Sequence, residues 1–194
     1  MDSDKIAESI KKAAQELFRR YGYNKTSVNE IAQKARIAKA TIYKYYESKE
    51  LILHSILMEY LEKSISELVS NFSPQMDEEL RLSQLILKTS RISFTATNEF
   101  IGWDFIRESV NAQEFLKKFS NELEELLFEA FSKLNPVENK AALTDPARLR
   151  FLINSSKSIV FSFAFTSVSL ADVKKNFIRF RKEILPYLIK GALA

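Results

Sequence analysis

The side chains best suited to chemistry lie close together in the segment from Lys39 to Tyr45. At helical spacing, basic, hydroxyl and phenol groups share one outward face there, while Ile42 points inward. Ammonium groups reach guanine O6 and N7 or phosphate oxygens, and hydroxyl groups suit phosphate oxygens. A solvent-exposed face with two tyrosines is unusual, so the pattern favours contact with a nucleic acid. The residues of this face are Lys39, Ala40, Thr41, Tyr43, Lys44 and Tyr45.

Two short helices joined by a tight turn must hold this face. Ser27 and Glu30 form a capping box, in which the hydroxyl and the carboxylate each bond an amide that the helix leaves unpaired. A helix is therefore predicted over residues 28–34, and the face lies on a helix predicted over residues 38–46. This is the pattern of a helix-turn-helix, whose second helix enters the DNA major groove. Ser27 and Asn29, at the start of the first helix, are further candidates for contact with DNA.

Many positions at fixed spacing resemble the N-terminal DNA-binding domain of the TetR/AcrR family of transcriptional regulators. The resemblance covers roughly residues 5–53, about a quarter of the chain. It implies an all-helical dimer, with DNA contacts made by the face described above and by Lys49. The matching positions are Phe18, Tyr21 to Tyr23, Thr26, Ser27, Ile31, Ala32, Ala35, Ile37, Lys39 to Tyr46 and Ser48 to Glu50.

The turn between the two short helices departs from the family pattern at two positions. Arg36 stands where the family usually has glycine, and a left-handed backbone at a non-glycine residue costs on the order of 1–2 kcal/mol. Ala38 stands where a hydroxyl usually caps the second helix, and losing such a cap costs roughly 1 kcal/mol. We therefore expect a less firmly held reading helix, with Arg36 as a candidate phosphate contact.

The excess of basic residues belongs to the same part of the chain. Residues 1–53 carry 11 Lys or Arg and 7 Asp or Glu, whereas the remainder carries 18 of each. The formal net charge of +4 therefore arises in the first quarter of the sequence. A localised positive region is expected of a phosphate-binding surface, although solvated helices are also often mildly basic.

The composition predicts an all-α protein. The 194 residues include three glycines and four prolines, where about 7% and about 5% are usual, and no segment alternates cleanly at period two. We expect about nine helices in total, among them a first helix over residues 3–21 that Gly22 ends, a short helix over residues 99–110, a helix that starts at Asp145 and Pro146, and a final helix that Pro186 kinks near its end. They divide into a helix-turn-helix DNA-binding domain over residues 1–47 and a helical ligand-binding and dimerisation domain over residues 48–194.

Several classes of function have no support in the residues. The chain has no cysteine, no glycine-rich phosphate loop and no HExxH motif, so we expect no catalytic residues, no metal site and no cofactor. The acidic start does not fit a signal peptide. The longest uncharged run, residues 158–171, has 14 residues, whereas a membrane helix needs about 20. We therefore expect a cytoplasmic protein that is not an enzyme and does not associate with a membrane.

Aromatic residues in the second domain are candidates for a ligand pocket. The chain has 15 phenylalanines and one tryptophan, enough to enclose a bulky apolar ligand with aromatic walls. Plain core packing explains any single one of these residues equally well, and the family resemblance supports only the region. The candidate ligand-binding residues are Phe94, Trp103, Ile106, Phe128, Phe131, Phe161 and Phe165.

The final helix is apolar over an unusually large part of its circumference. It carries two apolar stripes, which suggests that it packs on its own core and on something else. The alternative is a central helix in a monomeric bundle. The family resemblance implies a four-helix dimer interface formed by the last two helices of each subunit. The candidate interface residues are Phe163, Val173, Phe177, Phe180, Ile184 and Leu188, and the second stripe is Ile178, Leu185 and Ile189.

These features together predict a homodimeric transcriptional repressor. It is expected to bind a palindromic DNA operator and to be released by a small, hydrophobic effector bound in the C-terminal domain. One alternative is an architectural or activating DNA-binding protein with no effector. Another is a helical interaction module whose first three helices only resemble a DNA reader.

Overall fold

The computed structural model describes residues 3–73, 75–101, 112–134, 145–167 and 169–193, apart from the side chains of residues 112, 164 and 165. Every regular element in these ranges is a helix, which confirms the all-α prediction. Within them, no helix is both long enough and apolar enough to cross a membrane.

The first three helices form the predicted helix-turn-helix region. They are α1 (Ser3–Tyr21), α2 (Val28–Ala35) and α3 (Lys39–Tyr43). α1 spans the residues that the sequence predicts. It ends at Tyr21 because Gly22 adopts a φ of 82°. α3 is shorter than predicted. The carbonyl of Ile42 accepts the amides of both Tyr45 and Tyr46 at 2.9 Å, so the chain leaves the helix there.

Three longer helices follow. They are α4 (Lys49–Ser70), α5 (Glu78–Ala96), which continues into a π-helical turn (Thr97–Ile101), and α6 (Ala112–Lys133). Side-chain oxygens cap the first two: the Ser48 hydroxyl accepts the amide of Leu51 at 3.3 Å, and Asp77 accepts that of Leu80 at 3.1 Å. A short helix was expected over residues 99–110. Its first residues belong to the π-helical turn, and residues 102–110 lie outside the described ranges.

The chain ends in α7 (Pro146–Thr166), α8 (Leu170–Arg179), a second π-helical turn (Phe180–Ile184) and α9 (Leu185–Leu193). Asp145 caps α7 by accepting the amide of Ala147 at 2.9 Å, as the sequence predicts. Pro186 lacks an amide proton, so it cannot make the α-helical bond to the carbonyl four residues earlier. The kink expected near Pro186 stays a prediction; the π-helical turn lies just before α9, and the Leu185 amide bonds the Phe180 carbonyl.

The helices form two compact units. The first comprises Met1–Leu61 and Thr95–Phe119, and the second comprises Glu62–Phe94 and Ser120–Ala194. The chain passes from one unit to the other within α4, α5 and α6. The functional division at residues 47 and 48 stays a prediction.

A cluster of ion pairs joins α6 to α7 in the second unit. The Arg150 guanidinium donates to both carboxylate oxygens of Glu125, at 2.7 and 3.0 Å, and to Glu124 at 3.3 Å. The same group lies 4.2 Å from the centroid of the Phe128 ring. Lys157 completes the cluster by donating to the Ser120 carbonyl at 3.0 Å. Bidentate arginine pairs stacked on an aromatic ring fix geometry as well as charge.

Candidate nucleic-acid interface

The outward face of α3, continued by Lys44 and Tyr45 directly after it, carries the side chains that the sequence selects for DNA. Lys39, Ala40, Tyr43 and Lys44 are exposed, and Tyr43 has 47% of its surface accessible. Ile42 faces the core with 1% exposure. Thr41 and Tyr45 are half-buried at the edges of this face. The exposed part of this face therefore presents two ammonium groups and one phenol.

The turn between α2 and α3 is left-handed at Arg36, as expected for a position where the family has glycine. Arg36 has φ 57° and ψ 41°. Its amide bonds the Gln33 carbonyl at 3.2 Å, while the Ile37 amide bonds the Ala32 carbonyl at 3.0 Å. These two bonds form a Schellman motif that terminates α2. Ala38 has no side-chain cap bond, so the missing cap of α3 is also confirmed.

Replacing Arg36 with glycine is expected to raise the free energy of unfolding by about 1 kcal/mol, because glycine has no Cβ to oppose a positive φ. Arg36→Ala is the matched control, since it removes the guanidinium but keeps the Cβ. Urea denaturation measures the first effect, and DNA affinity as a function of salt measures any phosphate contact. Equal affinity and salt dependence in all three proteins would eliminate Arg36 as a phosphate contact.

The N-terminus of α2 is capped by Ser27 and by the carboxylate of Glu30 in the first turn of the same helix. The Ser27 amide donates to Glu30 Oε2 at 2.7 Å, and the Glu30 amide donates to Ser27 Oγ at 3.2 Å. The Ser27 amide and hydroxyl lower the pKa of the exposed Glu30 carboxyl. Ser27 and Asn29 are exposed, but a phosphate approaching Ser27 competes with this carboxylate for the same donors.

Lys49 is held by the loop before α2. Its ammonium donates to the carbonyls of Tyr23 at 2.9 Å and Thr26 at 2.8 Å, and it lies 4.0 Å from the centroid of the Tyr23 ring. Partial burial lowers the pKa of Lys49. An ammonium has three donors, so two of them join the start of α4 to the loop that precedes α2.

Tyr23 completes this connection from the other side. Its ring is 2% exposed, and its hydroxyl donates to Glu50 Oε1 at 2.7 Å. Burial, followed by the bond to Glu50, raises the pKa of Tyr23. Burial alone would raise the pKa of Glu50, but hydrogen bonds from the Tyr23 hydroxyl and other donors hold it below its usual value. We call Tyr23, Thr26, Lys49 and Glu50 the Tyr23 latch.

The Tyr23 latch was not predicted as a functional unit. Its residues belong to the family resemblance, but Tyr23 and Glu50 are 27 positions apart in the chain. Local periodicity carries no information about such a pair. A buried tyrosine directly after a helix stop was the one available signal.

Replacing Tyr23 with phenylalanine keeps the buried ring and removes the donor to Glu50. We expect the free energy of unfolding to fall by about 1 kcal/mol at pH 7 because a partly buried carboxylate loses a partner. A depressed carboxyl pKa gives stability that is present above the unfolded value and lost as pH falls through the folded value. The variant should therefore lose less stability than wild type on acidification below about pH 4.3. Urea denaturation at pH 7 and pH 3 measures both effects, and an equal loss in both proteins would contradict the assignment.

The described members of the predicted ligand site have different surroundings. Phe131 is fully buried, and Phe128 lies beneath the Arg150 guanidinium. Phe94 meets Phe177 edge to face, with ring centroids 5.7 Å apart. Phe161 has 41% of its surface exposed. Trp103, Ile106 and the Phe165 side chain lie outside what the structure describes, so the pocket stays a prediction.

Half of the predicted dimer residues belong to the core of the subunit itself. Phe163, Phe177 and Phe180 have exposures of 6%, 7% and 0% in the single chain. The Phe163 ring packs edge to face on the other two, with centroids 5.2 and 6.5 Å away. Leu185 and Ile189 of the second stripe are buried as well. The predicted residues Val173, Ile184 and Leu188 are half-buried.

A different surface of the last helices remains outward. Phe151 and Phe161 of α7 are 53% and 41% exposed, and Ile178 and Tyr187 are 47% and 75% exposed. The side chains of Arg148 and Arg150 in α7 are also partly exposed, at 42% and 37%. We call this surface the α7 face; its exposed residues are Pro146, Ala147, Phe151, Ser158, Phe161, Ser162 and Thr166.

The comparisons with known proteins agree with this geometry. Residues 10–56 match the model of bacterial regulatory proteins of the tetR family. Over 175 residues the chain is 28% identical to the uncharacterized HTH-type transcriptional regulator YuxN of Bacillus subtilis (strain 168). That alignment covers 86% of this chain and 60% of YuxN, so the chain spans less than two thirds of the length of that curated relative.

Solved structures show the same fold over the whole chain. A TetR transcriptional regulator from Rhodococcus sp. RHA1 superposes with a TM-score of 0.58 at 17% identity, covering 100% of both chains. FadR from Bacillus subtilis, solved in complex with stearoyl-CoA, superposes with a TM-score of 0.54 at 19% identity. It covers 95% of this chain and 98% of that one.

The capped α2, the left-handed turn and the exposed α3 define a helix-turn-helix protein with an all-helical body. The matched N-terminal domain and the shared fold make the assignment more specific. The N-terminal domain matches that of bacterial regulatory proteins of the tetR family, and the chain shares the fold of solved TetR-family regulators.

Proposed function

We propose that the chain is a homodimeric transcriptional repressor that reads a palindromic DNA operator with α3. The observation that carries this proposal is the exposed Lys39, Tyr43 and Lys44 surface on a capped helix-turn-helix. Ammonium and phenol groups at this spacing fit the DNA major groove. The protein then acts in the cytoplasm, where the DNA is, and performs no catalysis.

The side chains of α3 divide into base readers and phosphate contacts. Lys39 and Lys44 reach guanine O6 and N7 or phosphates, and Ala40 meets a thymine methyl. Thr41, Tyr43 and Tyr45 suit phosphates, which set register rather than sequence. The exposed side chains of Arg36, Ser27 and Asn29 lie at the ends of α2, where they can contact the DNA backbone. Lys49 acts mainly through the Tyr23 latch, since two of its donors are already engaged.

The dimer forms through the α7 face and the neighbouring exposed side chains of α8 and α9. Two exposed phenylalanines on one helix favour burial against a second copy. Val173, Ile184 and Leu188 lie at the margin of this interface. A twofold dimer then places its two α3 helices on half-sites one helical turn apart, about 34–36 Å, or a little more.

An effector in the C-terminal domain controls release from DNA. FadR, which shares the fold, was solved with stearoyl-CoA, and a long acyl chain is the kind of ligand that aromatic walls enclose. Residues Phe94, Trp103, Ile106, Phe128, Phe131, Phe161 and Phe165 stay the candidates for this pocket. The effector lowers DNA affinity only by its differential affinity for the two states.

Selection of bound duplexes from random DNA tests the proposal. The expected product is a palindrome with two half-sites, and stearoyl-CoA added to the binding reaction is expected to reduce its recovery. Recovery of no preferred sequence and no salt-dependent binding would overturn the DNA-binding proposal. A palindrome whose recovery no acyl-CoA or free fatty acid changes would favour the effector-independent architectural or activating alternative.

A further inference from the structure

The π-helical turn after α5 buries side chains that an α-helical turn would separate. Ala96, Phe100 and Ile101 have exposures of 0%, 1% and 2%. In an α-helix, residues five apart point about 140° away from each other. A turn with i to i+5 bonding brings them onto one face instead. The wider turn therefore brings Ala96 and Ile101 closer to one face, and both are buried together with Phe100.

Arg19 of α1 contacts two side chains of this turn. Its guanidinium carbon lies 4.9 Å from the centroid of the Phe100 ring, and Nη2 donates to Glu99 Oε2 at 3.2 Å. The Arg19 and Glu99 side chains are 49% and 40% exposed, so the ion pair alone adds little stability. Its value is geometric, because a planar guanidinium is held by a ring and a carboxylate on adjacent residues.

The same phenylalanine also meets α4. The rings of Tyr60 and Phe100 pack edge to face, with centroids 5.6 Å apart. Phe100 thus contacts the two helices that directly precede and follow the helix-turn-helix in the chain. Arg19 lies in the last turn of α1, three residues before Gly22, from which the chain leads through Thr26 into the Ser27 cap of α2. A displacement of Glu99 and Phe100 would therefore act on the start of the reading unit.

We propose that Arg19 is a positioning residue that couples the π-helical turn Thr97–Ile101 to the orientation of the DNA-reading helices. A π-helical turn holds one residue more than the α-helical turn it replaces, so a conversion between the two shifts Glu99 and Phe100 relative to Arg19. The inference rests on the proposed function, because it assigns a route by which the C-terminal domain adjusts the reader.

Reciprocity makes this coupling measurable without an effector. If the turn biases DNA binding, DNA must bias the turn by the same factor. The probe is the duplex selected by the wild-type chain, and the measurement is hydrogen exchange of the amides in residues 97–101 with and without saturating duplex. We expect the duplex to change these exchange rates about fivefold in wild type, the lower end of usual coupling factors.

Variants distinguish coupling from stability. Arg19→Ala and the milder Glu99→Gln are expected to bind the duplex but to lose most of the exchange difference at residues 97–101. Arg20→Ala is the matched control, since its guanidinium carbon lies 5.2 Å from the Tyr21 ring within α1, and it should retain the difference. DNA binding without an exchange difference in wild type, or an equal difference in Arg19→Ala and Glu99→Gln, would overturn this inference alone. Absence of DNA binding by wild type would overturn the proposed function instead.

Discussion

Lys49→Met is expected to lower the free energy of unfolding by about 2 kcal/mol, because it leaves the carbonyls of Tyr23 and Thr26 without their shared donor. Affinity for every duplex should fall about tenfold, since the loop that leads into α2 loses its attachment to α4. The slope of log affinity against log salt should stay that of wild type. A positioning role changes how well the reader fits, but not how many phosphates it neutralises.

Lys44→Met is the matched control for this experiment. Lys44 directly follows α3 and is exposed, and its removal should leave the free energy of unfolding unchanged. If it contacts a phosphate in both subunits of a dimer, the salt slope should become shallower by about 1.8, from about 0.9 for each contact. A shallower slope in Lys49→Met, with no loss of stability, would return Lys49 to the phosphate contacts that the family resemblance implies.

A double variant, Phe151→Glu with Phe161→Glu, is expected to convert the dimer into a monomer. A twofold interface uses the same patch on both subunits, so the variant places four carboxylates where the wild-type interface has four phenylalanines. Operator affinity should fall more than about 100-fold, because two half-sites no longer bind as one linked unit. Light scattering measures the mass, and fluorescence anisotropy with the selected duplex measures the affinity.

Leu80→Glu is the control for charge on an exposed apolar residue. Leu80 of α5 is 50% exposed, comparable to Phe151 at 53%, but it does not belong to the α7 face. The control should therefore remain dimeric with unchanged operator affinity. A double variant that stays dimeric while its urea denaturation matches wild type would place the interface elsewhere. A wild-type chain that binds the operator as a monomer would remove the dimer from the proposed function.

Local sequence features predicted much of the helix-turn-helix correctly. The limits of α1, the capping box of Ser27 and Glu30, and the absent cap at Ala38 all follow from residues within a few positions of each other. The left-handed turn at Arg36 followed from the family pattern. The length of α3 was overestimated, because no helix-breaking residue marks its end. The helix ends where the Ile42 carbonyl accepts two amides, and these bonds depend on backbone geometry.

The candidate site was less accessible to sequence reasoning. The residues of α3 were found because they lie side by side on one helix face, where spacing alone determines their neighbours. The roles of Lys49 and Arg19 were not found, since each depends on a partner from a distant part of the chain. Arg19 and Glu99 are 80 positions apart, and no periodic pattern records such a contact.

By itself, the sequence determined that this protein is all-helical, where its first helix begins and ends, and which face of α3 is exposed. These properties arise from composition, capping and helical period, which act over one or two turns. Only the tertiary structure decided that Phe177 and Phe180 belong to the core of the subunit and that Lys49 holds a loop. It also placed the Arg19 guanidinium of α1 against Phe100 of the π-helical turn. The polarity of a side chain determines what kind of group it can contact. The packing of helices distant in the sequence determines which contact it makes.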